Sequence, residues 1–235
     1  MSPETRGTCS RLSFLTGLLG ILLFMSATAP AAGDSIARFN GDLTREAIEI
    51  FLAEVRGRKF TRLIITSAGG EVEAGLALGT WVHAQGLDVE VRNYCLSSCA
   101  NYVFTAAHHK YIAPGAVVAW HGNYILLEKT GDWRDEIPRR MRKYGETAMQ
   151  AERHLHSQVM RLAAQERAFF ARIGVDARLC YVGKQPPWQV PNYFMLAAGD
   201  MARFGVTRVH APTGYPPSRT TILGQDIRTI QPGED

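Results

Sequence analysis

Strong charge, abundant cysteine and a membrane-length apolar run are all missing from this 235-residue chain. With 26 basic and 22 acidic residues the formal charge is only +4, too mild to imply a nucleic-acid partner. The basic cluster PRRMRKYG at 138–145 follows GDWRDEIP, so its charge is answered locally and reads as a solvated loop. No internal repeat or low-complexity segment is visible. The cysteine pattern does not suit zinc: Cys95 and Cys99 form a C-x3-C without a partner pair, and His108-His109 lies in a different loop. His154 and His156 are two apart in a helical stretch and face different ways. No metal and no cofactor is expected. The elbow motif of α/β-hydrolases is missing too, because CLSSCA has no flanking glycines.

The N-terminal apolar run, LSFLTGLLGILLFM, has 14 residues, short of the ~20 that span a bilayer. It follows Arg6 and Arg11 and precedes the small residues SATAPAA, the layout of a secretory signal peptide over residues 1–31. Export to the periplasm is therefore expected, with an uncleaved membrane anchor as the alternative. Without residues 1–31 the chain keeps 24 basic and 21 acidic residues, a charge of +3. It also keeps three cysteines, Cys95, Cys99 and Cys180, an odd number that suggests one disulfide and one free thiol. The spacing leaves two pairings open: Cys95 with Cys99, or one of them with Cys180.

The full chain is 46% apolar, and its length suits one domain with a sizeable core. SIARFNGDL reads as a strand and turn, and Thr44 as the N-cap of a helix carrying Ile48, Phe51, Leu52 and Val55 on one face. RLIITSAGG is a buried strand ending in Gly69-Gly70. A helix closed by Gly86 follows, then the alternating strand LDVEVRNY. SCANYVFTAA fits a short buried helix, HKYIAPGAVVAWHG two short strands, and 146–173 a long amphipathic helix. PNYFMLAAGDMARFGVTRVH adds a helix and a final strand. The domain is thus expected over 32–212, with 213–235 a loose tail. Strands alternating with helices argue for an α/β domain with a mainly parallel sheet, whose functional groups gather at the carboxyl ends of its strands. Three such ends carry chemistry: Gly69-Gly70, Ser97-Ser98 and His121.

An acyl-transfer site needs these parts. A serine is a weak nucleophile until a base takes its proton, and a helix N-terminus exposes the hydroxyl beside free N–H groups. Glycines let the backbone approach an oxyanion closely, and His121 at a strand end is a candidate base. Each piece also has an ordinary structural explanation, as a tight turn, an N-cap or a strand-end histidine.

Taken in order, TSAGGEVEAGLALGTWVHAQG, CLSSCANYVFTAA and YIAPGAVVAWHG resemble the core of the ClpP/crotonase superfamily, most of all the exported ClpP-like serine protease-related proteins of bacteria. The resemblance covers residues 36–122 closely and 190–210 loosely. It implies a spiral of parallel βαβ units in a single domain and a serine hydrolase, most simply a peptidase. In Clp-type proteases the nucleophile heads a segment that ends in small residues. SCANYVFTAA matches this from Ser98, which makes Ser98 the expected nucleophile and Ser97 the alternative. By the same resemblance Gly69, Gly70 and Cys99 would supply oxyanion N–H groups and His121 the base. The family's aspartate is missing at VPNYFML, which offers Asn192 instead; Asp176 and Asp200 are the nearest acids. The 146–173 helix would mediate a homo-oligomer. The substrate would be a peptide or unfolded protein, with no ATPase partner because an exported protein meets no ATP. Two alternatives remain: a non-catalytic assembly or binding protein, and a crotonase-type acyl-CoA enzyme, against which the export signal counts.

Overall fold

The computed structural model describes residues 35–232, so the expected signal peptide lies outside the described residues. Alternating apolar runs build β1 (Ile36–Asn40), β2 (Arg62–Ser67), β3 (Asp88–Leu96), β4 (Lys110–Ile112) and β5 (Val117–Ala119). Between them lie α1 (Arg45–Glu54), capped by the Thr44 side chain, and α2 (Val72–Gln85), ended by Gly86 in the left-handed conformation. After β5 come α3 (Tyr124–Thr130), α4 (Ile137–Tyr144) and α5 (Ala148–Ile173). The chain closes with β6 (Tyr193–Met195), α6 (Ala198–Arg203), β7 (Val209–His210), β8 (Arg219–Ile222) and β9 (Gln225–Thr229).

The central sheet runs β1-β2-β3-β4-β7, with β5 also pairing β3, and every pair in it is parallel. A parallel sheet must be covered on both faces, which is why β2 is buried almost throughout. The expected α/β domain with a mainly parallel sheet is what forms.

β3 is the strand that shapes the site. Its alternation breaks at the exposed pair Arg92-Asn93, and there its register against β2 shifts: Ile65 lies beside Val91, but Ser67 beside Cys95. The bulge re-aims the end of β3. Its first half then pairs with β4 and its second half with β5, bringing the β5 terminus alongside Ser97.

The C-terminal segment departs from the expected loose tail. β8 and β9 form a hairpin, and β9 lies parallel to β6. The cause is apolar: Ile227 and Ile230 are buried, Ile227 together with Leu96, Val117, Ala119 and Met195. Scattered among polar residues, those isoleucines carry little periodic signal.

Candidate functional site

The end of β3 turns sharply into a π-helical segment, Cys99–Phe104. Ser97 sits at the turn with φ +54°, a left-handed conformation that non-glycine residues seldom adopt and that costs on the order of 1–3 kcal/mol. Three features hold it there. Ser97 N–H donates to Ala119 O at 3.1 Å, and Ser97 O accepts from Asn101 N–H at 2.8 Å. A disulfide joins Cys95 to Cys99 across the serine pair, while Cys180 is a buried free thiol whose pKa burial raises.

The two serines have separate fates. Ser97 Oγ is 2.6 Å from His121 Nε2 and half-buried at the cleft. Ser98 is 3% exposed and donates its hydroxyl to Gly70 O at 2.8 Å. The hydroxyl that meets the histidine is therefore that of Ser97, where Ser98 was expected. The left-handed turn swings the first serine outward, and the helical second serine is drawn in against β2's end. A sequence match to a family pattern counts positions and does not register this rotation.

The glycine pair is required by close approach. A Cβ on Gly69 would lie 2.6 Å from Leu96 O and 2.8 Å from Ser97 Cβ; one on Gly70 would lie 2.5 Å from Leu43 O. Gly70 bridges Leu43 in a parallel ladder whose bonds are made by its neighbours: Leu43 N–H donates to Gly69 O and Glu71 N–H to Leu43 O. The carbonyl of Gly70 turns the other way, toward the serines, and accepts from Ser98. Gly69 N–H is spent on Ser67 Oγ at 3.1 Å. So of the two glycines Gly70 lines the cleft, while the N–H of Gly69 is already engaged. The N–H that follows the serine at the histidine belongs to Ser98, not to Cys99.

His121 follows β5 and stands between two cavities. The larger, about 570 Å³, is lined by Ser97, Gly70, His121 and the apolar side chains of Val72, Leu126, Leu127 and Leu162. The smaller, about 410 Å³, is lined by His121, Lys184, Asn192, Tyr193, Leu223 and Gln225 among others. His121 is exposed at the cleft mouth, yet the desolvation imposed by the groups packed around its ring, then the Lys184 ammonium, lowers its pKa to about 4. The ring is neutral at pH 7 and able to accept a proton. Tyr193 packs on it with ring centroids 4.5 Å apart.

The expected third member does not engage. Asn192 lines the smaller cavity, but among the described residues the one hydrogen bond of the His121 ring is to Ser97. Asp176 caps its own 3-10 turn and bonds Arg178, and Asp200 opens α6; neither contacts His121.

Sequence reasoning passed over Glu166. It is fully buried in α5 and accepts from Tyr102 Oη at 2.5 Å, from Tyr124 N–H at 3.1 Å and from Ile125 N–H at 2.9 Å. Burial raises its pKa. The carboxylate ties the segment after Ser97 to the helix after His121. Its signal was in the chain: Glu166 falls at helical spacing between Leu162 and Phe170, on the apolar stripe. Among the described residues no cluster of three or more His, Cys, Asp or Glu could hold a metal. Neither a family model nor a curated protein matches the chain.

Proposed function

We propose that this protein is an exported serine peptidase of ClpP-like type, acting without ATP, in which Ser97 is the nucleophile and His121 the general base. The observation that carries the reading is the 2.6 Å contact between Ser97 Oγ and His121 Nε2 on a left-handed strand-to-helix turn. That turn, with a glycine pair behind it, is what a nucleophile elbow needs: an outward hydroxyl beside unspent N–H groups. The ClpP/crotonase-type spiral is part of the proposal, supported by the parallel sheet and by Gly70 standing beside the serines.

In this reading Ser97 adds to the substrate carbonyl carbon while its proton passes to His121 Nε2. The N–H groups of Gly70 and Ser98 meet the oxyanion; losing one such donor typically costs about 2.7–4 kcal/mol of barrier. Collapse expels the amine, which leaves with the proton from His121, and an acyl-Ser97 ester remains. Water then attacks the ester as His121 takes its proton, and the acid departs as Ser97 is reprotonated. The larger cavity, with its leucines, suits an apolar side chain of a short or unfolded peptide.

Export is supported by the Cys95–Cys99 disulfide, which persists in oxidising compartments. A homo-oligomer through α5 is also part of the proposal. Leu162, Ala163 and Phe170 pack on their own domain, leaving Met149 and Met160 exposed for such a contact. The missing acid at His121 favours a second reading, a slow or inactive assembly protein with this fold.

A fluorophosphonate probe separates these readings. We expect the protein to be labelled, Ser97→Ala to abolish labelling, and Ser98→Ala to keep labelling within roughly tenfold of the native rate. Labelling that survives Ser97→Ala overturns the assignment, and an intact oligomer that never labels supports the assembly protein.

A further inference from the structure

The larger cavity holds the serine; the smaller one, on the other side of His121, has no part in the chemistry above. Its one charged lining group apart from the histidine is Lys184, and no aspartate or glutamate lines it among the described residues. Lys184 donates to the carbonyls of Val190, Pro191 and Asn192 at 3.0, 2.8 and 2.6 Å. It therefore folds that loop around its ammonium and acts on the cavity through its field. The hairpin contributes Leu223 and Gln225 to the lining, and its two arginines, Arg219 and Arg228, are both paired with Asp226. Two amide side chains on the rim, Asn192 and Gln225, make no hydrogen bond to another described residue and can donate to an acceptor.

We propose that this second cavity is an anion subsite that binds a substrate carboxylate through the side-chain amides of Asn192 and Gln225, beside His121 and in the field of Lys184. The chemistry fits twice over. A cavity with a fixed cation, spare amide donors and no acid stabilises a carboxylate and disfavours a second cation. And His121, which lacks an acidic partner from its own chain, gains one from the ligand: an anion within ~4–6 Å favours imidazolium, the form the base must take during acylation. The carboxylate is either the C-terminal α-carboxylate of a peptide or an acidic side chain near the scissile bond. The inference rests on the peptidase reading for its catalytic meaning, though not for the binding itself.

The test uses three small ligands: N-acetylalanine (an α-carboxylate), N-acetylisoglutamine (a side-chain carboxylate) and N-acetylalaninamide (neutral). Each is added to the intact protein while the His121 ring is titrated by NMR, assigned with His121→Gln. One or both acids should raise the His121 pKa from about 4 by about 1–3 pH units, and the neutral amide should not. Whichever acid acts identifies the source. Gln225→Glu, on the exposed hairpin, should weaken the active acid by roughly tenfold or more, and Lys184→Gln should do the same. An equal response to the acids and the amide, or an unchanged acid response in Gln225→Glu, overturns the proposal. Fluorophosphonate labelling is run in parallel. Labelling without charge discrimination removes the subsite and leaves the peptidase reading; discrimination without labelling does the reverse.

Discussion

Ser97 and Ser98 have the same side chain and opposite environments. One is held outward by a left-handed backbone and meets a ring nitrogen; the other is buried against Gly70 O. The difference is one of backbone dihedral, so exchanging roles by mutation would require the turn itself to change. His121 supplies the pH prediction at this scale. Its pKa of about 4 lies below the ~6.5 of an unfolded histidine. The labelling rate of Ser97 should therefore follow an acid limb centred near pH 4 and stay flat through neutral pH. The same depression means the unfolded chain takes up its proton first as pH falls. The contribution to stability is full above ~6.5 and declines as the pH approaches the folded pKa. Urea midpoints of native protein should then fall between pH 6.5 and 4 more steeply than those of His121→Gln. A labelling limb near ~6.5 would mean that the exposed ring keeps its ordinary pKa at the cleft mouth.

At the scale of elements, α5 and the π-helical segment are joined by one buried carboxylate. Glu166 satisfies the Tyr102 hydroxyl and two N–H groups at the start of α3, so Glu166→Ala leaves two buried donors and one half-buried N–H without that acceptor. Each buried unsatisfied donor costs roughly 1–3 kcal/mol, so chemical denaturation should show a loss of at least about 2 kcal/mol. Glu166→Gln keeps one acceptor oxygen and should lose less. A second contact at this scale is α2 against the π-helical segment. A Cβ at Gly79 would come 2.5 Å from Tyr102 O, and one at Gly75 2.7 Å from the Tyr102 ring. Both glycines let the helix lie close enough to support the elbow from behind.

For the whole molecule, the described residues pack as one unit in which the C-terminal hairpin has a structural part. Ending the chain before Arg219 would uncover Met195, Leu96 and Val117 and remove Ile227 and Ile230. At ~1.5–3 kcal/mol for each fully buried isoleucine, the truncation should cost about 3–6 kcal/mol and lower the melting temperature. A loose tail would have been removable at no cost. Assembly belongs to this scale as well. If α5 joins copies of the chain, charge at Met149 and Met160 should shift the sedimentation coefficient toward the monomer and leave the melting of the single domain nearly unchanged. A native protein already sedimenting as a monomer would count against the oligomer.

Much of this was legible in the chain. The αβ alternation, the Thr44 and Gly86 caps, and the convergence of Gly70, a serine and His121 follow from periodicity and strand-end chemistry. Those patterns are local, and each residue there obeys its own element. The loose tail was expected because two isolated isoleucines among polar residues have no periodicity, and only the apolar edge of β6 gives them a place to bury. The choice of serine waited on a bulge in β3 and a φ of +54°, which depend on how β2 and β5 grip that strand. The cationic cavity behind His121 waited on the meeting of Lys184 and Gln225, forty-one positions apart in sequence. Sequence determined the kinds of group available and the elements that carry them. Tertiary packing decided which hydroxyl faces His121 and what surrounds it, because both are set by contacts between segments that no local pattern records.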